Sequence, residues 1–231
     1  LDADTVVEIA SNVDGQGVGD VSITLADPSG TADAVNIAVS GTSGQDDEES
    51  AKSITVTNVE TVNLESKTFG ATAMLSTDFN VVTGMNVGSA TTLNLSGSAN
   101  LTFGAAITGT KLTAIDGSSA TGNISLTAAA VKYAALKTGS GNDTIAMGTS
   151  LTADDSIDAG GNTGATGVDT VTATVNALGT STASAVLDID NAETWTLQPV
   201  TAASYVDLSG SAGIATINVG NANGTAMADL A

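Results

Sequence analysis

The sequence predicts an all-β solenoid, a rod in which short strands stack coil upon coil. Alternating apolar and polar residues recur along all 231 residues, and a period of two is typical of strands. Units of strand, short turn and strand recur roughly every 20 residues, which is typical of stacked coils. Aromatic residues make up only 3% of the chain. We therefore expect a narrow interior filled by Val, Ile, Leu and Ala.

The strand segments follow this alternation in chain order. Val21 to Leu25, Val35 to Val39 and Ile54 to Thr57 are rich in β-branched residues, which favour an extended backbone. Clusters of Gly, Ser, Asn and Asp separate the segments and predict turns. The later segments with the same alternation are Thr92 to Leu95, Asn123 to Leu126, Thr170 to Val175, Val186 to Ile189 and Thr216 to Val219.

A longer repeat overlies the coil repeat. Asn58 to Leu64 reads Asn-Val-Glu-Thr-Val-Asn-Leu, and Asn191 to Leu197 reads Asn-Ala-Glu-Thr-Trp-Thr-Leu. We interpret residues 1–231 as one solenoid domain in which residues 1–90 resemble residues 140–220. Neither a signal segment nor a capping segment is evident at the ends, so we expect a fragment of a longer chain.

Composition and charge exclude several classes of function. His and Cys are absent, so neither a Ser-His-Asp triad, a Cys nucleophile nor a His/Cys zinc site can form. Five basic residues against 25 acidic ones give a net charge of -20, which argues against nucleic-acid binding. No apolar run reaches the roughly 20 residues of a membrane span. The acidic excess itself is explained either by solubility or by cation binding.

Enzymatic activity is not expected. Paired carboxylates suffice for glycoside hydrolysis, and Asp154 and Asp155 are a candidate pair. Adjacent residues on a strand point to opposite faces, however. The basic and aromatic residues that line a substrate cleft are also scarce.

Two Gly- and Asp-rich turns predict a calcium site. The segment from Gly139 to Ile145 has the form Gly-x-Gly-x-Asp-x-aliphatic, the core of the nonapeptide with which parallel β-rolls bind Ca²⁺. The next turn, from Asp158 to Val171, carries two further glycines and an Asp-Thr-Val sequence. Calcium takes six to eight oxygen ligands, which two adjacent turns can supply together. The predicted ligands are Gly139, Gly141, Asn142, Asp143, Asp155, Asp158, Gly160, Asn162 and Asp169.

Several of these candidates also have a purely structural explanation. Asp143 is equally suited to a turn hydrogen bond at the start of a strand. Glu60 and Glu193 occupy equivalent positions and are expected to cap turns or face solvent rather than bind metal. The acidic run from Asp46 to Glu49 is expected to be a solvated loop. Trp195 is expected to fill the core or lie on the rod surface rather than stack on a sugar.

The residues resemble those of repeats-in-toxin (RTX) type calcium-binding surface-layer proteins of Gram-negative bacteria. The resemblance rests on Gly139 to Ile145, Ile157 to Val175, Val56 to Leu64 and Ile189 to Leu197, and on the His- and Cys-free composition. It implies a right-handed parallel β-helix or β-roll, export by a type I system and Ca²⁺-dependent lattice assembly.

On this resemblance we expect a secreted structural subunit of a surface layer (S-layer) on the bacterial cell surface. Its expected partners are calcium ions and further copies of itself, with cell-surface polysaccharide bound through a region outside this chain. The alternative is a stalk or binding segment of a large RTX-type adhesin. A carbohydrate-active enzyme is the third hypothesis.

Overall fold

The computed structural model describes residues 5–10, 18–25, 29–41, 49–68, 79–128, 132–162, 167–175, 185–199, 205–219 and 229–230. Within these ranges every regular element is a β-strand. The strands form two long sheets, here called sheet I and sheet II, and a small sheet III.

The eight strands of sheet I are β1 (Val6–Ala10), β3 (Ala34–Gly41), β5 (Thr61–Thr68), β7 (Thr92–Gly97), β9 (Ala114–Ala120), β11 (Ala135–Lys137), β13 (Ser156–Asp158) and β16 (Asp188–Asp190). The nine strands of sheet II are β2 (Val21–Thr24), β4 (Glu49–Thr57), β6 (Phe79–Asn86), β8 (Asn100–Phe103), β10 (Ile124–Thr127), β12 (Thr144–Gly148), β14 (Thr170–Val175), β17 (Thr194–Pro199) and β19 (Thr216–Val219). Sheet III contains β15 (Ala185–Val186), β18 (Tyr205–Asp207) and β20 (Asp229–Leu230).

From β1 to β14, successive strands alternate between sheets I and II, so that each coil adds one strand to each sheet; from β15 onward, strands of sheet III lie between them in the chain. Neighbours within a sheet pair in parallel, as in β3 with β5 and β12 with β14. This is the topology of a parallel β-solenoid, and the predicted fold class is confirmed. The right-handed sense of the coil stays a prediction.

Coil length varies more than the predicted value of about 20 residues. In sheet I, Asn94 pairs with Asp116, Asp116 with Lys137 and Lys137 with Asp158, so these coils do have lengths near the prediction. The coils before Asn94 and after Asp158 are longer, as the pairing of Asp158 with Asp190 shows. Insertions between strands leave the stacked sheets unchanged, which is why coils of unequal length still align.

Because apolar and polar residues alternate along the strands, the apolar side chains face the interior and the polar side chains face outward. In β10, Ile124 and Leu126 are buried, whereas Ser125 and Thr127 are partly exposed. Inward residues of both sheets form one apolar cluster. The expectation of a core without large aromatic residues is wrong, because Trp195 and Tyr133 are the largest fully buried side chains.

Polar ladders join the coils on the outer surface of sheet I. The side-chain amide of Asn63 donates to Asn36 Oδ1 at 2.8 Å, and that of Asn94 donates to Asn63 Oδ1 at 2.7 Å. Because these residues are register partners, the ladder adds side-chain hydrogen bonds to those of the backbone.

The loops between the sheets are the corners of the coil. We call a loop that leads from sheet I to sheet II an I–II corner, and the opposite loop a II–I corner. Asn58 and Asn191, the first residues of the matched segments, both adopt positive φ, 59° and 57°. Asn58 lies at a II–I corner and Asn191 at a I–II corner, so the same local motif turns the chain at both kinds of corner.

Candidate metal site at the coil corners

Seven of the nine predicted ligands lie in two stacked I–II corners. Residues 138–143 lead from β11 to β12, and residues 159–169 lead from β13 to β14. The two loops contact each other directly, since Gly161 N donates to Gly139 O at 3.0 Å and Thr138 Oγ1 donates to Ala159 O at 2.7 Å. The predicted proximity of the two turns is therefore present in the structure.

The glycines of these corners allow neighbouring coils to approach closely. A Cβ atom on Gly139 would overlap the carbonyl oxygen of Ala120, and one on Gly160 would overlap the carbonyl oxygen of Gly139. Of Gly139, Gly141 and Gly160, only Gly160 has a positive φ, 85°. Close stacking, more than left-handed backbone geometry, thus explains the Gly-x-Gly sequence. The Gly139 carbonyl oxygen accepts the hydrogen bond from Gly161 N of the next coil.

Asp143 is almost entirely buried and its carboxylate is hydrogen-bonded by the protein itself. Oδ1 accepts from Ile124 N at 2.7 Å, and Oδ2 accepts from Gly139 N at 3.2 Å. Burial raises the pKa of Asp143, whereas these backbone hydrogen bonds and the Thr138 hydroxyl act in the opposite direction. The bond from Gly139 N is a turn hydrogen bond of the kind foreseen for this residue, and the bond from Ile124 N joins two coils.

Asp169 occupies the matching position one coil further along and differs from Asp143 in one respect. Its Oδ1 accepts from Asp143 N at 2.6 Å. Its Oδ2 is buried and has no hydrogen-bond partner among the residues described. Burial, assisted by the nearby charges of Asp143 and Glu193, raises the pKa of Asp169 to about 7, whereas hydrogen bonds to its carboxylate from Asp143 N and the Asn162 side chain act in the opposite direction.

Asn162 and Glu193 complete the surroundings of Asp169. Glu193 Oε2 accepts from Asp169 N at 2.8 Å and from the Asn162 side-chain amide at 3.0 Å. The amide oxygen of Asn162, like Oδ2 of Asp169, is buried without a partner in the described part of the chain. Carboxylate and amide oxygens such as these two are ligands of the type that Ca²⁺ prefers.

The structure separates two predicted ligands from this group. Asp155 lies at a II–I corner, where Oδ1 accepts from Tyr133 N at 2.6 Å and Oδ2 accepts from Thr152 N at 2.7 Å. Asp158 ends β13, and its Oδ1 accepts from Gly160 N at 3.1 Å and from the Asn191 amide at 2.8 Å. Spacing along the sequence did not show which corner each carboxylate would occupy.

Asn142 and Asn123 belong to a ladder at the same corner. Asn142 N donates to Asn123 Oδ1 at 2.8 Å, and Asn123 N donates to Asn100 Oδ1 at 2.9 Å. From Asn100 onward, polar side chains at successive I–II corners thus accept backbone N–H groups of a neighbouring coil. The ladder shows that such residues are used for stacking whether or not they bind metal.

A II–I corner contains the same arrangement of an aspartate and a glutamate as the corner of Asp169. Asp33 N donates to Glu60 Oε2 at 2.9 Å, as Asp169 N does to Glu193. Asp33 Oδ2 is also buried without a partner among the described residues. The matched Asn-x-Glu sequences indicated this similarity. In the structure, Glu60 and Glu193 each accept a hydrogen bond from a backbone N–H group of the preceding coil.

Only part of the predicted site fits a calcium ion. No group of three or more carboxylates gathers closely enough to hold a metal within the described ranges. Asp143 and Asp155 have their oxygens engaged by backbone N–H groups. Asp169 and Asn162 are the residues that would hold Ca²⁺ here, and the ion would supply positive charge beside the Asp143, Asp169 and Glu193 carboxylates.

Aromatic residues offer no evident sugar platform in the described structure. Trp195 is fully buried and is a core residue, one of the two roles expected for it. Phe79 is 38% exposed. The side chains of the acidic run from Asp46 to Glu49 lie outside what the structure describes.

No helix in the described ranges is long and apolar enough to cross a membrane.

Comparison with known proteins does not identify a family for this chain. No protein-family model, curated protein or solved structure matches this chain.

Proposed function

We propose that the chain is a structural segment of a secreted bacterial surface layer that self-assembles in the presence of calcium. Its role is mechanical rather than catalytic, because stacked coils form a rod whose strength comes from repeated backbone pairing. The observation that carries the proposal is the buried, unpartnered Asp169 Oδ2 beside the unpartnered Asn162 Oδ1. In a chain of net charge -20, a cation at this corner would relieve like-charge repulsion between stacked coils.

The test is the effect of Ca²⁺ on thermal stability. For the wild-type chain at pH 8, we expect Ca²⁺ to raise the melting temperature above that measured with a chelator. At a free Ca²⁺ concentration of about 100 times Kd, the added stability would be about 2.7 kcal/mol. Mg²⁺ at the same concentration is expected to act less, because it requires a rigid octahedral set of ligands.

Two matched variants connect this effect to the corner. Asp169→Asn keeps the side-chain shape but removes the charge, so we expect the calcium-dependent increase in melting temperature to disappear. Asp116→Asn makes the same charge change at an exposed Asp whose carboxylate accepts from Ser118, and it is expected to retain the increase. Equal responses of both variants to calcium would contradict the site.

Assembly is measured separately by light scattering and electron microscopy after calcium addition. Ordered arrays or growing particles support the surface-layer role. Stabilisation by calcium without any association would instead support the alternative role as a stalk segment of a large adhesin, in which the rod serves as a spacer.

A further inference from the structure

The charges of this protein are distributed unequally between the two long sheets. Charged residues occur in six of the eight strands of sheet I, among them Asp116, Lys137, Asp158 and Asp190. In contrast, β6, β8, β10, β12, β14, β17 and β19, which are seven adjacent strands of sheet II, contain no charged residue. In a chain with 25 acidic residues, this is an unusually large neutral area.

Outward-facing hydroxyl groups line this neutral area in rows. Thr144, Thr170, Thr194 and Thr216 are successive register partners. Register partners lie about 4.8 Å apart across a sheet, so these side chains form a regular row. They are partly or fully exposed, as outward residues of an uncovered sheet face would be.

The row lies beside a groove of about 330 Å³. Thr127, Thr172, Thr196 and Gln198 are among the polar residues that line it. Ala146, with its methyl group, and Gly148, without a side chain, also line it. The register between β12 and β14 shifts between Ala146 and Gly148. The small residues and the shift together explain why the face is indented here.

The chemistry of this face favours a second copy of the same chain as its occupant. Two molecules of charge -20 repel each other, and repulsion is least where both present a surface without carboxylates. Interface centres are depleted in charged residues. A sugar polymer is less suited, because Phe79, at the start of β6, is the one exposed aromatic residue among the described side chains of these seven strands, whereas Trp195 and Phe103 are buried.

The size of the face predicts a weak contact. Seven strands with a spacing of about 4.8 Å and a width of about five residues give roughly 500 Å² on each copy. The total of roughly 1,000 Å² is at the lower limit for a specific interface. Because the same face is used on both copies, such a contact is two-fold and pairs two molecules weakly.

We infer that the outer surface of sheet II from β6 to β19 is a self-association face that packs against the same face of a second copy. This inference rests on the proposed function, since it names one of the contacts from which a layer would be built. It assigns sheet I, with its charges, to the side that remains in solvent.

The experiment introduces charge into the face and measures association. Thr172→Glu combined with Thr196→Glu places two carboxylates on neighbouring strands of sheet II. Thr61→Glu combined with Thr92→Glu is the matched control, because these residues are partly exposed register partners in sheet I. By sedimentation velocity in calcium, we expect the sheet II variant to stay monomeric at concentrations where wild type and control associate.

Variants with Lys at the same positions distinguish loss of the contact from loss of folding. Thr172→Lys combined with Thr196→Lys should also be monomeric alone, whereas its mixture with the Glu pair should associate at least as strongly as wild type. Circular dichroism of each variant checks the strand content. Restored association in the mixture requires folded chains and direct contact between the two faces.

The outcomes separate this inference from the proposed function. If the sheet II variant assembles with calcium as wild type does, the face is wrong and the surface-layer role stands. If wild type associates through sheet II equally well with chelator, the face stands and calcium dependence falls. A wild-type chain that stays monomeric at millimolar concentration, or that binds an insoluble neutral polysaccharide instead of itself, overturns the inference.

Discussion

At the scale of single residues, buried carboxylates control how this protein responds to pH. Burial and neighbouring charges raise the pKa of Asp169 to about 7, and burial raises the pKa of Asp143. The folded chain therefore holds protons that the unfolded chain releases. Stability from these groups is fully present below about pH 4 and is lost as the pH rises through the folded pKa values.

We therefore expect the melting temperature of the calcium-free protein to fall by several degrees between pH 4 and pH 7. Asp116, whose pKa is lowered by hydrogen bonds from Ser118, is ionised in both the folded and the unfolded chain above about pH 5, so it contributes little slope over most of this range. The measurement is thermal unfolding in chelator at half-unit pH steps. Asp169→Asn should flatten the curve near pH 7, and a wild-type melting temperature that rises over this range would contradict the assignment.

Two adjacent glycines test the requirement for close stacking. A Cβ on Gly160 would overlap the Gly139 carbonyl oxygen, whereas nothing lies within 4 Å of a Cβ on Gly161. Gly160 also has a positive φ of 85°. We expect Gly160→Ala to lower the free energy of unfolding by about 3 kcal/mol. Gly161→Ala should change it by less than about 0.5 kcal/mol, measured by urea denaturation, and equal effects would refute the stacking argument.

The candidate site was only partly predictable from residue patterns. The Gly- and Asp-rich segment at residues 139–143 and the next Gly-rich segment are about one coil length apart in the sequence. The prediction that these two corners stack is confirmed. The separation of Asp155 and the contact of Glu193 with Asp169 could not be foreseen. Both depend on which corner a residue occupies, and corner position is set by pairing between residues about 20 or more apart.

At the scale of elements, the alternation of apolar and polar residues was sufficient to locate many strands. Val21 to Leu25 became β2, Thr170 to Val175 became β14 and Thr216 to Val219 became β19. A side-chain period of two is local, and each strand carries it independently. The assignment of strands to sheet I, II or III was not predictable, because it depends on which strands pair between coils and not on the alternation within one strand.

The corners show how elements are joined without helices in the described structure. Glu60, Glu193 and Asp155 each accept a backbone N–H group from the preceding coil. A buried N–H left unpaired would cost about 1–3 kcal/mol. Carboxylates at corners therefore serve stacking, and Asp33 and Asp169 each keep one carboxylate oxygen without a hydrogen-bond partner among the described residues.

At the scale of the whole molecule, a solenoid is nearly one-dimensional. Each coil contacts its neighbours, so stability approximates a sum of coil and neighbour contributions, and distant coils can unfold separately. Trp195, the sole tryptophan, is buried between β14 and β19 through its register partners Val171 and Ile217. Its fluorescence therefore reports on the coils around β17, whereas circular dichroism reports on all strands.

We expect these two signals to separate when a distant coil is weakened. Ile37, in β3, is 1% exposed, and Ile189, in β16, is fully buried; replacing either by Ala should cost about 2–5 kcal/mol locally. Ile37→Ala should broaden the dichroism transition toward lower urea and leave the Trp195 fluorescence midpoint unchanged. Ile189→Ala should move the fluorescence midpoint, because Ile189 belongs to the coil that leads into Trp195. If Ile37→Ala shifts both signals equally, the rod unfolds as one cooperative unit, and long-range coupling between coils outweighs nearest-neighbour stacking.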